Sequence, residues 1–332
     1  MAKKKAESNK SKSSESPKSE TSYNLEDLPS VGEATVKKLK EAGILSIRIL
    51  AMYPLNKLMD EAGIGKKTAE KIIKAAQDIE KMGFKSADKI WEKRKTLRRL
   101  TTGSRNLDDL LMGGIEPGAV TEFFGEYRTG KTQLAHQLCV NVQLPYEEGG
   151  LEGCALYIDT EGTFRPERLI QMALAKDLDH NSILKNITIG RAYNSDHQIL
   201  LVKEAPKIIR EKNIKLIVVD SLIGHFRSEY IGRGTLASRQ QLINSHIHDL
   251  LRISETFNEL AVIFTNQVSA RPDVFYGNPL THTGGHVVAH GATVRIFLRK
   301  GKGEQRIARV VDAPNIPEND TVFCIIEDGI SD

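Results

Sequence analysis

The stretch GEYRTGKT, residues 125–132, decides the fold class of this 332-residue chain. It has the spacing GxxxxGK[ST]. It lies between an apolar run at 119–124 that indicates a strand and a segment at 132–142 with apolar residues at helical spacing. In that context the loop N–H groups and the N-terminus of the following helix can surround a phosphate. The sequence therefore predicts a nucleotide site on a strand–loop–helix unit.

The expected ligand of this loop is ATP with Mg²⁺. Lys131 is expected to reach the β and γ oxygens, and the Thr132 hydroxyl to bind the metal. Arg128 is a bulky cation in a loop that often carries small residues. Because only the backbone has to line the phosphates, its side chain is expected to point away from them. The predicted nucleotide contacts are Gly125, Glu126, Tyr127, Arg128, Thr129, Gly130, Lys131 and Thr132.

From about residue 101 onward, apolar runs alternate with helical stretches. Several of the runs are nearly continuous, as expected for strands buried on both faces of a parallel sheet. This alternation predicts an α/β domain over residues 101–332 with a central, mostly parallel sheet. The strand candidates are 119–124, 155–159, 215–220, 260–266 and 294–300.

Carboxylates follow two of these strands, at the edge where doubly wound sheets bind ligands. Asp220 ends the run LIVVD and is predicted to hold Mg²⁺ together with Thr132. Glu161 follows ALYID and is placed to orient or deprotonate an attacking water. Asp159 and Glu167 compete for that role, and spacing alone does not exclude them.

The run LAVIFTNQ, residues 260–267, ends in the amides of Asn266 and Gln267. An amide facing the γ-phosphate is suited to report whether that phosphate is present. A plain solvated strand end is the alternative. The sequence has no motif resembling the HRD or DFG catalytic motifs, which disfavours a kinase.

Two long glycine-containing segments favour single-stranded DNA as a partner. They are HFRSEYIGRGTLASRQQ at 225–241 and VSARPDVFYGNPLTHTGGHVVAH at 268–290, and the DNA-binding loops are predicted at about 225–240 and 268–290. Cations hold phosphates while aromatic rings stack on bases or wedge between them. Ordinary surface loops are the alternative, although loops of this length are usually functional or disordered. The first segment carries Arg227, Arg233 and Arg239 with Phe226 and Tyr230 interleaved.

Residues 23–82 contain a weak internal repeat. SVGEATVKKL at 30–39 aligns with GIGKKTAEKI at 63–72, and each copy indicates a glycine turn followed by a helix. Gly32 and Gly65 let backbone N–H groups approach a DNA phosphate, with lysines such as Lys66 close behind. The alternative is a small helical bundle whose glycines only make turns.

The remaining segments are a tail and a linker. Residues 1–22 hold six lysines against three glutamates and little apolar surface, so we expect them to be disordered. Residues 83–100 are basic and indicate a linker. Three scattered cysteines without a CxxC pair disfavour disulfides and zinc and fit a reducing cytoplasm. No apolar run is long enough to cross a membrane.

From residue 23 to 332 the chain resembles the archaeal RadA recombinases of the RecA family. The resemblance implies a RecA-like P-loop ATPase core with a small all-α helix-hairpin-helix N-terminal domain. It also implies a DNA-dependent ATPase that forms a filament on single-stranded DNA and catalyses homologous pairing and strand exchange in recombinational repair. Besides the helix-hairpin-helix repeat, it is carried by LTTGSRNLDDLLMGGIEPGAVTEFFGE, YIDTEGTFRPERL, GRGTLASRQQ, NQVSARPD and RIARVVDAPNIPE.

The resemblance also implies contacts between copies of the chain. Phe84 and Ala87 match a Phe-x-x-Ala polymerisation motif that docks on a neighbouring core. His290 matches a histidine that approaches the γ-phosphate of the neighbouring subunit. Three further residues match a cap that covers ATP across that interface: Asp312, Pro314 and Pro317.

Further roles follow for the DNA loops. Gln267 matches a residue that couples the γ-phosphate to the second loop. Ile231 replaces a frequent proline in the first loop, and Arg128 replaces a small residue of archaeal relatives. The positions of the first loop that bind DNA in the family are matched here by Arg227, Tyr230, Arg233 and Arg239.

The implied partners are single- and double-stranded DNA, further copies of the chain in a filament or ring, and recombination mediator proteins, in the archaeal cytoplasm. Three alternatives stay open on sequence grounds. One is a paralogue that loads or regulates a recombinase, and another is a ring-forming ATPase switch that never exchanges strands. The third is a helix-hairpin-helix repair scaffold in which ATP only tunes affinity.

Overall fold

The N-terminal part of the chain folds as a small helical unit. The computed structural model describes residues 24–270, 280–282 and 285–332, so the predicted tail at 1–22 lies outside it. A one-turn 3-10 helix at Leu25–Asp27 precedes four helices. Their apolar sides share one core that includes Leu39, Leu50 and Ile72. The helices are α1 (Glu33–Glu41), α2 (Ile47–Ala51), α3 (Leu55–Ala62) and α4 (Lys66–Ile79).

The segment predicted to be a linker contains a helix, α5 (Ala87–Lys95). Ser86 precedes its first turn, and basic residues fill its last turn, where they complement the helix dipole. None of its residues is buried. This helix therefore lies on the surface between the two folded parts.

The larger part of the chain alternates strands and helices, as predicted. Its helices are α6 (Arg105–Leu110), α7 (Lys131–Asn141), α8 (Pro166–Leu174), α9 (His180–Lys185), α10 (Ser195–Lys212), α11 (Gly224–Glu229), α12 (Leu236–Thr256) and α13 (Gly285–Gly291). Its strands are β1 (Val120–Gly125), β2 (Cys154–Asp159), β3 (Ile187–Arg191), β4 (Ile214–Asp220), β5 (Ala261–Ala270), β6 (Leu280–His282), β7 (Val294–Lys300), β8 (Gln305–Asp312), β9 (Asp320–Ile326) and β10 (Gly329–Ser331).

The strands form one sheet in the order β10-β9-β8-β7-β1-β5-β4-β2-β3, with β6 paired to β5. The six strands from β7 to β3 are parallel, whereas β8, β9 and β10 extend the sheet antiparallel. All five strands indicated by the sequence are present, and the predicted α/β fold with a mostly parallel sheet is confirmed.

Alternating side chains of the central strands enter two cores, one on each sheet face. On β1, Phe123 packs with α7 and α8 on one face, and Val120 packs with α10 and α12 on the other. This double burial explains why the central strands are continuous apolar runs. The sequence missed β3, β6 and β8–β10. Of these, β3, β8 and β9 are partly exposed and mix polar with apolar side chains.

Ion pairs dock the helical unit on α10 and α12. Lys57 Nζ lies 2.5 Å from Asp249 Oδ1, and Lys203 Nζ lies 2.7 Å from Glu61 Oε1. Phe257, just after α12, packs against both the helical core and the sheet core. Among the helices of the described residues, none is long and apolar enough to cross a bilayer.

Candidate functional site

The predicted phosphate loop connects β1 to α7, as the motif requires. Gly125 approaches β7 so closely that a Cβ atom would lie 2.1 Å from the Leu298 carbonyl oxygen. Gly130 has φ +97°, and a Cβ there would lie 2.2 Å from Ile325 Cδ1. Glycine is therefore required at both ends of the loop. Between them the Thr129 hydroxyl donates to the Glu126 carbonyl over 2.9 Å, which closes the turn.

Lys131 folds its ammonium group back over this loop. Its Nζ donates to the Gly125 carbonyl at 2.9 Å and to the Glu126 carbonyl at 2.7 Å. Burial lowers the pKa of Lys131, and the negative charges of Asp220 and Glu161 oppose that effect. A cation is thus held at the loop where phosphate oxygens would arrive.

Asp220 ends β4 and accepts hydrogen bonds from three hydroxyl groups. The Thr132 and Tyr157 hydroxyls donate to Oδ2 at 2.8 and 2.7 Å, and the Thr265 hydroxyl donates to Oδ1. Its carboxylate is 3% exposed, so these donors take the place of water. The predicted pairing of Thr132 with Asp220 is therefore present in the structure.

The oxygen atoms of Thr132 and Asp220 fit Mg²⁺. No cluster of three or more His, Cys, Asp or Glu side chains suited to a metal occurs among the described residues. Mg²⁺ is commonly held by one or two protein oxygens, with phosphate and water completing its shell. The donor set therefore suits a magnesium ion that arrives with a nucleotide.

Glu161 lies just past β2, on the wall of the same cleft. Its Oε1 accepts hydrogen bonds from the Ser221 hydroxyl at 2.7 Å and from Gln267 Nε2 at 3.2 Å. Ser221 follows Asp220 directly, and Gln267 lies on β5. Glu161, predicted to orient or deprotonate the attacking water, and Gln267, predicted to face the γ-phosphate, are thus in contact. Ser221 was missed, although its place after the strand-ending aspartate was the available signal.

Asp159 shapes the turn that carries Glu161. Its carboxylate accepts backbone N–H groups of Glu161, Gly162 and Thr163 at 3.1, 2.7 and 3.2 Å. Arg191 also pairs with it at 3.2 Å. With its lone pairs occupied in this way, Asp159 positions the turn. The other competing carboxylate, Glu167, is exposed in the first turn of α8 and does not line the cleft.

A buried histidine beside the site bonds to the backbone of α7 and of the segment that leads into α8. His136 Nδ1 lies 2.7 Å from the Thr132 carbonyl, and its Nε2 lies 3.2 Å from the Arg165 N–H. The carbonyl requires a proton on Nδ1, and the N–H requires a lone pair on Nε2, so the ring is neutral. Burial lowers the pKa of His136, in agreement with that state. The sequence gave no signal for this role.

The cleft has a volume of about 510 Å³. Lys131, Glu161 and Gln267, the three predicted catalytic residues, all line it. Parts of its wall come from β8 and β9 and were missed by sequence reasoning, because those strands were not predicted. The lining residues outside the predicted set are Gln133, Thr163, Arg168, Gln171, Ser221, Thr265, Arg306 and Ile325.

The Arg128 side chain is exposed. Its backbone is in the left-handed region, with φ +65°. The guanidinium lies 5.5 Å from the ring of Tyr127, which is 82% exposed. Arg128 also borders the cleft, so whether its side chain points away from the phosphates stays a prediction.

Four predicted nucleotide contacts lie away from the cleft of their own chain. All four are exposed, and none of them lines the cleft: His290, Asp312, Pro314 and Pro317. His290 lies on α13, and Asp312 ends β8. Their role across an interface between copies stays a prediction.

The first predicted DNA loop is mostly helical, which corrects the expectation of a long irregular segment. Only residues 230–235, including a 3-10 turn at Arg233–Thr235, separate α11 from α12. Phe226 is fully buried, because it fills the core under α11, and it is not available for stacking on bases.

The cationic positions of this segment are on or beside the two helices. Arg227 is exposed on α11, and Arg239 on α12 donates to the Tyr230 carbonyl at 3.4 Å. The side chain of Arg233 lies outside the described residues. So does much of the second predicted DNA loop, at 271–279 and 283–284. At its base, β5 and β6 pair antiparallel, with Val268 opposite His282.

The two glycine turns of the N-terminal unit both precede helices. Gly32 caps α1 and Gly65 caps α4, and both are exposed, as is Lys66. A full helix precedes the second turn, whereas only the one-turn 3-10 helix precedes the first. Lys38 of the first copy donates to the Gly63 carbonyl of the second at 3.1 Å, so the two turns lie close together.

Comparisons with known proteins agree with this architecture. The Rad51 family model matches residues 93–332. The model of the SAM-like helix-hairpin-helix tandem matches residues 23–78. A relative from Aeropyrum pernix, named DNA repair and recombination protein RadA, is 51% identical over 308 residues, covering 93% of this chain and 96% of the relative. The chain therefore belongs to the Rad51 family.

Proposed function

We propose that the chain is a DNA-dependent ATPase recombinase. It forms a filament on single-stranded DNA and catalyses homologous pairing and strand exchange in recombinational repair. The observation that carries this proposal is the contact between Gln267 and Glu161 in the phosphate-loop cleft. That contact joins the γ-phosphate side of the cleft to β5, the strand that leads into the second DNA loop.

The cleft supplies the groups that ATP hydrolysis needs. The loop N–H groups and Lys131 bind the phosphates, and Thr132 with Asp220 holds Mg²⁺. When bound, the metal neutralises charge on the phosphate oxygens. Glu161 orients the attacking water and takes its proton on the carboxylate. The Ser221 hydroxyl and the Gln267 amide fix the orientation of that carboxylate through their bonds to Oε1.

Gln267 couples the nucleotide to DNA. In the described residues its amide reaches Glu161, and a γ-phosphate would offer it a second set of acceptors. Moving the amide moves the end of β5 and hence the β5–β6 ribbon at the base of the second loop. ATP favours the DNA-binding state only to the extent that it binds that state more tightly than the other.

Three arginines of the first predicted DNA loop supply DNA contacts. Arg227 on α11, Arg239 on α12 and Arg233 between them follow β4, whose end carries Asp220. The glycine turns before α1 and α4, with Lys66, supply phosphate contacts from the N-terminal unit. Because phosphate contacts release counterions, each lost arginine is expected to lower the salt dependence of binding by about one unit of slope.

In the proposed filament, the remaining predicted residues lie at the interface between neighbouring copies of the chain. Phe84 is fully exposed and Ala87 begins α5, so both are free to dock on a neighbouring core. His290, Asp312, Pro314 and Pro317 then complete the cleft of the adjacent copy. The name of the relative from Aeropyrum pernix, DNA repair and recombination protein RadA, supports the same function. Recombination mediator proteins are proposed partners of the assembled form.

A strand-exchange assay with homologous and heterologous duplexes tests the proposal, with ATP turnover measured with and without single-stranded DNA. We expect exchange only with homologous duplex and strong stimulation by DNA. Lys131→Ala should abolish hydrolysis, and unaltered turnover in that variant contradicts the site. Absence of stimulation by DNA favours the ATPase switch over the recombinase.

A further inference from the structure

Helix α11 is hydrogen-bonded along one side to the start of α10 and to the turn before it. Its last residue, Glu229, accepts the Ser195 backbone N–H at Oε1 over 2.8 Å, and its Oε2 accepts the Ser195 hydroxyl. The ring of His225, the second residue of α11, lies with Nε2 3.1 Å from the Ala192 carbonyl oxygen. A carbonyl only accepts, so the histidine donates from Nε2. These contacts join the first predicted DNA loop to residues that line neither the cleft nor a predicted loop.

The start of α10 also holds the residues that lead into α11. The Leu222 carbonyl, two residues before α11, accepts a hydrogen bond from Gln198 Nε2 at 2.8 Å. Gln198 and Ser195 are both buried. A buried polar group that loses its partner is costly, because water cannot replace the lost bond. The start of α10 therefore holds α11 at both of its ends.

The residues that hold α11 also contact the turn that carries Glu161. The Ala192 N–H donates to the Asp159 carbonyl at 2.9 Å. Arg191 Nη1 donates to the same carbonyl at 3.1 Å and to Asp159 Oδ1 at 3.2 Å. That Oδ1 atom accepts the Glu161 N–H at 3.1 Å. Residues 191–195 therefore bond to α11 on one side and to the Glu161 turn on the other.

The first residue of α11 lies against the Glu161 carboxylate. A Cβ atom on Gly224 would lie 3.1 Å from Ser221 Oγ and 3.9 Å from Glu161 Oε1. Arg227, three residues further along α11, is exposed and is one of the arginines proposed to contact DNA. At a rise of 1.5 Å per residue, Gly224 and Arg227 are about 5 Å apart along the helix axis. A change in the position of α11 on DNA binding therefore changes the surroundings of Glu161.

We propose that Ser195 and Glu229 are positioning residues that couple DNA binding at the first loop to ATP hydrolysis at Glu161. The inference rests on the proposed function and adds a second connection to it, because Gln267 concerns the second loop. The bonds between Ser195 and Glu229 keep α11 in register with residues 191–195, and these residues bond to the turn that carries Glu161. Coupling requires that DNA bind more tightly to the position of α11 in which Glu161 faces the attacking water.

The alternative is that Glu229 only caps α10. A carboxylate that accepts an N–H group at a helix N-terminus stabilises that helix. Loss of a cap alone would lower the stability of the protein, and the folded fraction would hydrolyse ATP with its native response to DNA. The ratio of ATP turnover with saturating DNA to turnover without DNA separates the two roles, because the folded fraction cancels in that ratio.

The test measures this ratio for the full chain with oligo(dT) as the DNA, at saturating ATP and Mg²⁺. Ser195→Ala removes the hydroxyl that donates to Glu229 and keeps the backbone N–H. We expect the ratio to fall about fivefold, within the usual range of coupling between two sites, and the KM for ATP to stay the same. Asp196→Asn removes an exposed carboxylate from the same turn of α10 and is the matched control, which should keep the native ratio.

A double variant tests whether Ser195 acts through Glu229. Glu229→Ala removes the acceptor and should lower the ratio at least as much as Ser195→Ala. In that background Ser195→Ala should lower it no further, because the bond is already absent. Additive losses from the two substitutions mean that the hydroxyl does not act through Glu229, and they overturn the inference.

The remaining outcomes separate this inference from the proposed function. If oligo(dT) does not stimulate the native chain, the proposed function is wrong and the inference falls with it. If the native chain is stimulated and Ser195→Ala keeps its ratio, as Asp196→Asn does, the inference alone is wrong. Fluorescence anisotropy with labelled oligo(dT) measures DNA affinity beside these rates. A variant that binds DNA more weakly but reaches the native ratio at saturation assigns the contact to DNA binding alone and overturns the coupling.

Discussion

The Ser221 hydroxyl donates a hydrogen bond to Glu161 Oε1 over 2.7 Å. The two residues come from neighbouring strands, since Ser221 follows β4 and Glu161 follows β2. Ser221 is itself held by Thr160, which accepts its N–H at 2.8 Å and donates to its carbonyl at 2.9 Å. The carboxylate proposed to activate water is thus oriented by a fixed hydroxyl.

Ser221→Ala is therefore expected to lower kcat for ATP hydrolysis about tenfold, which corresponds to about 1.4 kcal/mol in the barrier. The KM for ATP should change little, because the phosphate contacts are proposed to come from the loop and Lys131. Steady-state kinetics with single-stranded DNA measure both. Ser182→Ala removes a hydroxyl on α9 that bonds Asp179 and is the control. An unchanged kcat in Ser221→Ala contradicts the positioning role.

A buried ion pair crosses the centre of the sheet. Arg295 Nε on β7 donates to Glu122 Oε2 at 2.7 Å, and Asn266 Nδ2 on β5 donates to Glu122 Oε1 at 2.8 Å. Breaking one partner of a buried pair costs about 3–5 kcal/mol. Glu122→Gln should therefore lower the free energy of unfolding and, with it, the midpoint of urea denaturation. The variant should also weaken the stimulation of ATP turnover by DNA, because Asn266 bonds Glu122 and directly precedes Gln267.

The matched comparison replaces both charges by apolar residues, as Glu122→Leu with Arg295→Met. Exchange of a whole buried pair for apolar side chains is often neutral or stabilising. The double variant should therefore unfold at a higher urea concentration than Glu122→Gln. Equal destabilisation of the two variants would falsify the view that an uncompensated buried charge causes the loss.

His246 predicts a loss of stability in mild acid. Burial lowers its pKa to about 3. Below about pH 6.5 the unfolded chain binds a proton on this residue that the folded chain does not bind. The free energy of unfolding therefore falls by roughly 1.4 kcal/mol per pH unit from about pH 6.5 down to the folded pKa.

His246→Gln removes this titration and keeps a polar side chain beside Gln198, whose Nε2 lies 3.1 Å from His246 Nε2. Urea denaturation at about pH 7 and about pH 5 measures how far the free energy of unfolding falls between these two pH values. In His246→Gln this fall should be smaller than in the native chain by about 2 kcal/mol. His180→Gln, on the exposed start of α9, is the control and should follow the native chain. If the free energy of unfolding falls equally in His246→Gln and in the native chain, His246 is not the group responsible.

Arg128→Gly tests the sequence departure in the phosphate loop. Glycine adopts the observed φ of +65° without strain, and the guanidinium borders the exposed ring of Tyr127. We expect the Kd for ATP to change by less than about threefold, well under the tenfold that 1.4 kcal/mol represents. Calorimetric titration with ATP measures it. A loss of tenfold or more means that the guanidinium contacts the nucleotide.

The parts of the site that the sequence predicted are those attached to the ends of apolar strands. Lys131 and Thr132 follow β1, and Asp220 ends β4. Glu161 follows β2. Parallel strands bring their carboxyl ends to one edge, so these residues converge whatever the order of the strands.

The residues that were missed depend on strand order and on side-chain packing. Ser221 reaches Glu161 because β2 and β4 are neighbours, and Ile325 reaches Gly130 because β9 lies at the antiparallel end of the sheet. The position of Ser221 after Asp220 marks it as a residue at the strand end, but the sequence does not show that β2 and β4 are neighbours, and the contact of Ile325 has no local sequence signal. Phe226 was misread for a related reason, since one aromatic residue between arginines looks the same whether it stacks on a base or fills the core.

The C-terminal strands β8 and β9 complete one wall of the cleft. Ile325 and Arg306 line the cleft beside the phosphate loop, and Arg168 donates to the carbonyls of Ile326 and Glu327. These strands are translated after the phosphate loop and after most of the core. A nascent chain that has not yet released them presents Lys131 and Thr132 without that wall of the cleft. That wall of the cleft therefore forms only when β8 and β9 have joined the sheet.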